Sequence, residues 1–502
     1  MEKNDIVRLT ITDIGTDGEG VGKIDTFTIF VNNAVPGDEA DIRITKVKKN
    51  YAYGRIEKII VPSADRVEPR CPVAVRCGGC SIQQVSYETQ LKYKEKKVFD
   101  CLTRIGGADP VYLKSIMEPA VGMDEPWHFR NKAQYPVGTD KDGNVRIGFY
   151  AKHSHSIIEN DECQIENPVA PFVLQHLRKV ISKFNIIPYN EETGRGSLRH
   201  CMIRVGVSTG EVMICLVVNA RGKEIDNWKT GTEMSEAMTE GFKKAVADFN
   251  VSPSHLPEMP EYKLASFCIN INTENTNVIM GKKVFTVYGE PCITDRIGDV
   301  RFKISPLAFY QVNPSQTKKL YDKALSYALS GFEDGKLGVV WDLYCGIGTI
   351  SLFLARHAKK VYGVEIVPEA IENAKENAKI NNISNAEFFV GAAEDVVEKL
   401  NDDITKRESL ENSDLDYNPN CDVVVVDPPR KGCDETLLKN VISMSPKSVV
   451  YVSCDPATLA RDVKFLSANG YNLTKACPVD QFCHSGHVET VVLLSKVNTY
   501  KE

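Results

Sequence analysis

The first sixty residues place apolar side chains at alternate positions in short runs, "IVRLTITDIG", "TFTIFVNN", "EADIRITKVKKN" and "YAYGRIEKII". Gly and Asp-Gly turns, "GTDGEGVG" and "VPGDE", separate them, and this pattern predicts a small β-barrel over residues 1–60. From 61 to 300 the pattern is mixed. β-like runs ("VRIGFYAKHSHSII", "HCMIRVGV", "EVMICLVVNA") share the stretch with a helical run, "PFVLQHLRKVISKF", and a Pro-bearing loop, "FNVSPSHLPEMPEYK". A further helix is expected in "SQTKKLYDKALSYAL", and from residue 337 apolar strands and helices alternate regularly. That alternation predicts a doubly wound parallel sheet, so residues 301–502 read as an α/β domain behind a mixed α+β central one at 61–300. The polar stretch "NDDITKRESLENSDLDYNPN" reads as a surface loop within the last domain.

Composition narrows the class. The 502 residues are 42% hydrophobic and 25% charged, with no apolar run of membrane-spanning length. The opening "MEKNDIVRLT" has no apolar leader, so a cytoplasmic protein without a membrane partner is expected. Fifteen cysteines, scattered and odd in number, suit reduced thiols plus one ligand cluster better than a disulfide framework. The net charge of −6 speaks against polyanion binding by the chain as a whole, but a local basic stripe would suffice. "RITKVKKNYAYGRIEK" is such a stripe, with Arg43, Lys46, Lys48, Lys49, Arg55 and Lys58 against Glu57, and with Tyr51 and Tyr53 interleaved. On a small barrel this suits single-stranded nucleic acid. The plain alternative is a lysine-protected edge strand.

The candidate chemistry lies in the last domain. "LGVVWDLYCGIGTISLFLA" is a strand ending in Asp342, a turn bearing Gly346 and Gly348, and an apolar helix. The next strand, "KVYGVEIV", ends in Glu365, placed to hold the two hydroxyls of a ribose. The third glycine of a dinucleotide fingerprint is absent, and the series looks like an S-adenosylmethionine pocket of class I methyltransferases. A further strand delivers Asp427 in "DPPRKG", with Arg430 where amino-group methyltransferases carry a stacking aromatic. "SVVYVSC" then brings Cys454 to the same edge, and "FCHSGHVETVVLL" supplies Glu489. A thiolate adding to C6 of a pyrimidine makes C5 nucleophilic, and a base must then take the C5 proton. The plain alternatives are a buried strand-end cysteine and a solvated carboxylate.

Together "DLYCGIGTISL", "DPPRKG", "SCDPATLARD" and "HSGHVETVVLL", preceded by "FYQVNPSQTKKLY", resemble the RNA 5-methyluridine methyltransferase family. The resemblance implies a C-terminal class I (Rossmann-like) domain, an N-terminal OB-like barrel of the TRAM type and a mixed central domain. It implies Cys454 as nucleophile and Glu489 as base. Gln311, Tyr344, Glu365 and Asp427 would contact S-adenosylmethionine. Cys483 stands where many members have proline, and Asp455 replaces a common Asn.

Cys71, Cys77 and Cys80 have the spacing C-x5-C-x2-C, which lacks the paired spacing of structural zinc and suits a [4Fe-4S] cluster with one distant fourth ligand. Cys163 is the expected fourth, supported by the resemblance, and Cys101 competes on spacing alone. No redox machinery accompanies the cluster, so a role in folding or RNA binding is expected. Barrel plus cluster resembles members acting on 23S rRNA at a single-stranded or loop uridine. A tRNA uracil-5-methyltransferase, a cytosine-5 enzyme and a non-catalytic iron-sulfur RNA-binding protein are the alternatives. A monomer that does not act on DNA is expected.

Overall fold

The structure is a computed structural model and describes residues 1–152, 154–399 and 421–497. The expected polar loop at 401–420 lies outside the described residues. Strands Ile6–Ile14, Gly20–Ile24, Phe27–Asn32, Tyr51–Val61 and Glu39–Val47, in that spatial order, close into a barrel around Leu9, Ile11, Ile29, Val31, Ile42 and Ile44. Strand Gly20–Ile24 occupies sequence read above as turn. Its glycines are there for packing: a Cβ at Gly20 would strike Ala34 and Ile11, and one at Gly22 would strike Leu9. Closure also removes any sheet edge, so the basic strand Tyr51–Val61 has no edge to protect.

The central domain is a six-stranded sheet in the order Lys283–Gly289, Lys263–Ile271, Glu211–Val218, Leu198–Gly206, Lys132–Thr139, Val145–Ile147. Helices Ala170–Lys183 and Glu233–Asn250 pack into its core with Phe242, Phe249 and Phe267. The opposite face carries Met202, Met213 and Cys215 into the core of the last domain. The boundary expected at 300 therefore cuts a hairpin, Ile293–Ile297 with Val300–Ile304, whose apolar side chains belong to that same shared core. The run "VRIGFYAKHSHSII" breaks into strands Val145–Ile147, Phe149–Tyr150 and Ile157–Ile158, with the chain bending at Gly148 where a Cβ would press on the Ile158 carbonyl.

The last domain holds seven strands in the order Ala386–Val390, Ala358–Glu365, Leu337–Leu343, Cys421–Val426, Ser448–Ser453, Glu489–Lys496, Tyr471–Val479. The first five are parallel, as expected; the final hairpin is antiparallel, which corrects an all-parallel sheet. That reversal brings the start of Glu489–Lys496 to the edge where the parallel strands end. Open α/β sheets bind their ligands at that edge. No described helix is long and apolar enough to cross a membrane.

Candidate active site

The turn after Leu337–Leu343 is built for a ligand. Tyr344, Gly346 and Gly348 all have positive φ, at 72°, 56° and 81°, so the backbone folds back at once into the helix Thr349–Ala355. A Cβ at Gly346 would meet no protein atom within 4 Å, so the glycine faces open space. Gly348 is close-packed instead, against Ala374 and Phe388. Glu365 ends the neighbouring strand; its two carboxylate oxygens accept from the Gly346 amide at 3.2 Å and the Val367 amide at 3.0 Å. Asp342 is fully buried, one oxygen accepting from the Ser351 hydroxyl at 2.5 Å and the other unpartnered, and burial pushes its carboxyl up to about 6. Gln311 is buried just before the helix Pro314–Ala328, its side-chain oxygen 3.4 Å from Gln481 Nε2.

The second half of the site is set by register. Ser453 pairs with Thr490 across the antiparallel strands, so the next positions, Cys454 and Glu489, face one another at the sheet edge. Asp455 then caps the helix Pro456–Ala468, accepting from Ala457 and Thr458 amides at 2.9 and 3.0 Å, with Pro456 at the first helical position. The acid in place of Asn is thus accommodated as a cap, and Cys454 is held at a strand-to-helix corner. Cys483 is a buried thiol 3.7 Å from the Tyr87 hydroxyl. Burial pushes the Cys454 thiol up to about 11; Glu489 adds to this and the Arg430 guanidinium opposes it. Glu489 is buried with one carboxylate oxygen unpartnered, and burial and then Asp427 hold its proton well above the usual range. Asp427 rises to about 7 through burial and then Asp342. Tyr321, buried on the helix Pro314–Ala328, has its hydroxyl 3.0 Å from that of Thr349 and is raised by burial and then by Asp427, with Thr349 opposing and Asp342 and Glu489 adding less.

One residue not singled out for this role emerges. Arg430 acts electrostatically on both Cys454 and Glu489, and its charge after "DPP" was the available signal. Phe309, two positions before Gln311 in the loop "SPLAFYQ", is 71% exposed.

The cysteine set converges. Cys71, Cys77, Cys80 and Cys163 line one small cavity with Gln83, Asn160 and Glu166, whereas Cys101 does not. Three of the thiols accept N–H groups: Cys71 from Asn160 Nδ2 at 3.3 Å, Cys77 from the Gly79 amide at 3.4 Å, Cys80 from Gln83 Nε2 at 3.6 Å. Among the described residues no group of three or more Cys, His, Asp or Glu gathers closely enough for a single ion. Burial pushes the Cys80 thiol up to about 12; Cys77 and Cys71 add to the rise, and Arg130, which also lines the cavity, opposes it.

A family profile described as "tRNA (Uracil-5-)-methyltransferase" matches residues 287–497, and one described as "TRAM domain" matches residues 2–56. Proteins named "Uncharacterized RNA methyltransferase" match nearly end to end. That of Clostridium tetani is 45% identical over 99% of this chain and 97% of its own, and that of Bacillus cereus 46% identical over 99% and 98%. This chain belongs to the RNA uracil-5-methyltransferase family. Among solved structures, the Pyrococcus abyssi tRNA (uracil-54, C5)-methyltransferase in complex with S-adenosyl-L-homocysteine is 28% identical, with a TM-score of 0.70 over 97% of this chain and 99% of its own. The enzyme is an S-adenosylmethionine-dependent RNA methyltransferase with an N-terminal TRAM barrel.

Proposed function

We propose that this enzyme methylates C5 of a uridine in 23S rRNA by covalent catalysis, with Cys454 as nucleophile and Glu489 as base. The observation carrying this reading is the Ser453–Thr490 register, which brings Cys454 and Glu489 together at the sheet edge that also bears the glycine turn. Cys454 adds as thiolate to C6 of the uracil, forming a C–S bond and placing the electron pair on C5. Tyr344, Gly346, Gly348, Glu365 and Gln311, with Asp342 beneath the turn, would hold S-adenosylmethionine, which would give its electrophilic methyl group to C5 and leave as S-adenosylhomocysteine. Glu489, once in the ionised form that Arg430 favours against burial and Asp427, takes the C5 proton, the C–H pair restores the double bond, and the thiolate leaves. Arg430 favours the ionised forms of both catalytic groups. Asp427 faces the uracil, and exposed Phe309 offers a stacking surface for a base drawn out of its strand.

Cys71, Cys77, Cys80 and Cys163 would hold a [4Fe-4S] cluster, which supplies a cross-link between distant stretches of chain rather than a redox step. The tRNA reading stands second, because the P. abyssi likeness extends over 97% of the chain and the whole architecture thus occurs in a tRNA enzyme. The test is denaturing mass spectrometry of the protein, S-adenosylmethionine and RNA carrying 5-fluorouridine, whose fluorine cannot leave as a proton does. A methylated adduct on Cys454, absent in Cys454→Ala, is expected with 23S rRNA fragments. An adduct with tRNA alone moves the target to tRNA, and none with either RNA overturns the catalytic reading.

A further inference from the structure

The loop between the last two strands, residues 480–488, carries the chain into Glu489, and all three stretches flanking the cysteine set converge on it. Arg70, before Cys71, lies over the Trp127 ring at 4.6 Å from its centroid. Trp127 in turn stacks on His484, with ring centroids 4.0 Å apart and planes at 21°. After Cys80, the amides of Ser81 and Ile82 donate to the His484 carbonyl at 2.9 and 3.1 Å, and the Ser81 hydroxyl accepts from the Gly486 amide at 3.2 Å. After Cys163, the Gln164 and Ile165 carbonyls accept from the His128 and Arg130 amides, fixing the segment that presents Trp127. His484 itself is buried, holds φ at 63°, and engages Gln90 and the Pro126 carbonyl through its two ring nitrogens.

We propose that Trp127 is a positioning residue for Glu489: wedged between Arg70 and His484, and helped by Ser81, it sets where the carboxylate stands for removal of the C5 proton. The inference rests on Glu489 being the base. A left-handed, non-glycine residue five positions before a catalytic side chain needs support from outside its own loop. Here the support is the indole on one side and two amides on the other. Releasing either lets the loop shift while Cys454, on a different strand and capped by its own helix, stays in place. The step that suffers is therefore proton removal, not thiol addition or methyl transfer.

This gives a signature that loss of stability does not produce. With ordinary uridine RNA, the C–S bond at C6 persists until the C5 proton leaves, so an enzyme slow at that step accumulates a methylated adduct on Cys454. Holoenzyme samples of wild type, Trp127→Ala, Trp127→Phe, Ser81→Ala and Glu489→Gln, matched for iron content, are compared for turnover, KM for RNA and adduct by denaturing mass spectrometry. Expected are a fall in kcat of about 10- to 100-fold in Trp127→Ala with KM little changed, methylated adduct as in Glu489→Gln, and partial recovery in Trp127→Phe. Full activity in Trp127→Ala, or abolished activity without methylated adduct, overturns the proposal. Should Trp127→Ala fail to fold, Ser81→Ala decides: slowed turnover with adduct supports it, and wild-type behaviour overturns it. A Glu489→Gln enzyme that accumulates no methylated adduct refutes the base assignment instead.

Discussion

At Gly346 two demands fall on one residue. A φ of 56° costs a side-chain-bearing residue about 1–2 kcal/mol, and a Cβ there would project into space no protein atom fills. Gly346→Ala is expected to weaken S-adenosylmethionine binding at least about tenfold, or roughly 1.4 kcal/mol, with RNA affinity unchanged; titration calorimetry with each ligand checks this. The thiol of Cys454 makes a second test. Because burial and Glu489 raise it to about 11, the reactive thiolate is scarce at neutrality and grows as pH rises toward that value. Rapid-quench adduct formation with 5-fluorouridine RNA is expected to speed up by about tenfold per pH unit across roughly pH 7 to 9, and a flat profile would place the thiol's pKa below that window when RNA is bound. Glycines, strand-end acids and the lone cysteine were legible in the sequence because each sits in a short motif that local geometry demands. Trp127 and Tyr321 were not, since what they do depends on partners carried by other elements of the chain.

The long helix Tyr87–Arg104 shows the same limit for an element. Its polar, lysine-rich sequence suggests a solvated surface, yet Lys94 is wholly buried and bonded to Asp480, equally buried, while Tyr87 donates to the other Asp480 oxygen at 2.8 Å. Lys94 also donates to the Phe482 carbonyl at 3.0 Å, and Lys97 to that of Gly486 at 2.7 Å. Lys94→Met strands a buried carboxylate and is expected to cost about 3–5 kcal/mol, read as a lowered denaturant midpoint. The replacement pair Lys94→Met with Asp480→Leu recovers most of that loss if the charge, not the shape, is at fault. The final antiparallel hairpin was hidden for a related reason. Strand runs are visible in the residues, but direction is fixed only by which neighbour each strand pairs with, and apolar runs of either direction look alike.

Across the whole molecule, the question is how an acidic protein holds RNA. The barrel answers locally. Lys46, Lys48 and Lys49 are exposed on one rim, and Phe30, Tyr51 and Tyr53 cluster beside them with ring centroids 5.5 to 5.9 Å apart. Arg43, by contrast, is engaged bidentately by Glu57 at 2.9 and 2.8 Å and contributes little free charge. Replacing the three lysines with alanine is expected to weaken RNA binding similarly for all sequences. It should also flatten the plot of log affinity against log salt by about 0.7 for each phosphate that is no longer neutralised. Fluorescence anisotropy over a salt series measures it, and an unchanged slope would remove the barrel rim from the RNA path.

The clasp between Lys94 and Asp480 spans 386 positions of chain. During synthesis the helix emerges long before its counterpart, and at roughly 5–20 residues per second the wait is roughly 20–80 s. Throughout that interval an ammonium group destined for a dry interior stays wet, and the segment around it has nothing to close upon. A chain that stops short of residue 480 lacks the carboxylate that partners Lys94, so that ammonium has lost its buried counter-charge.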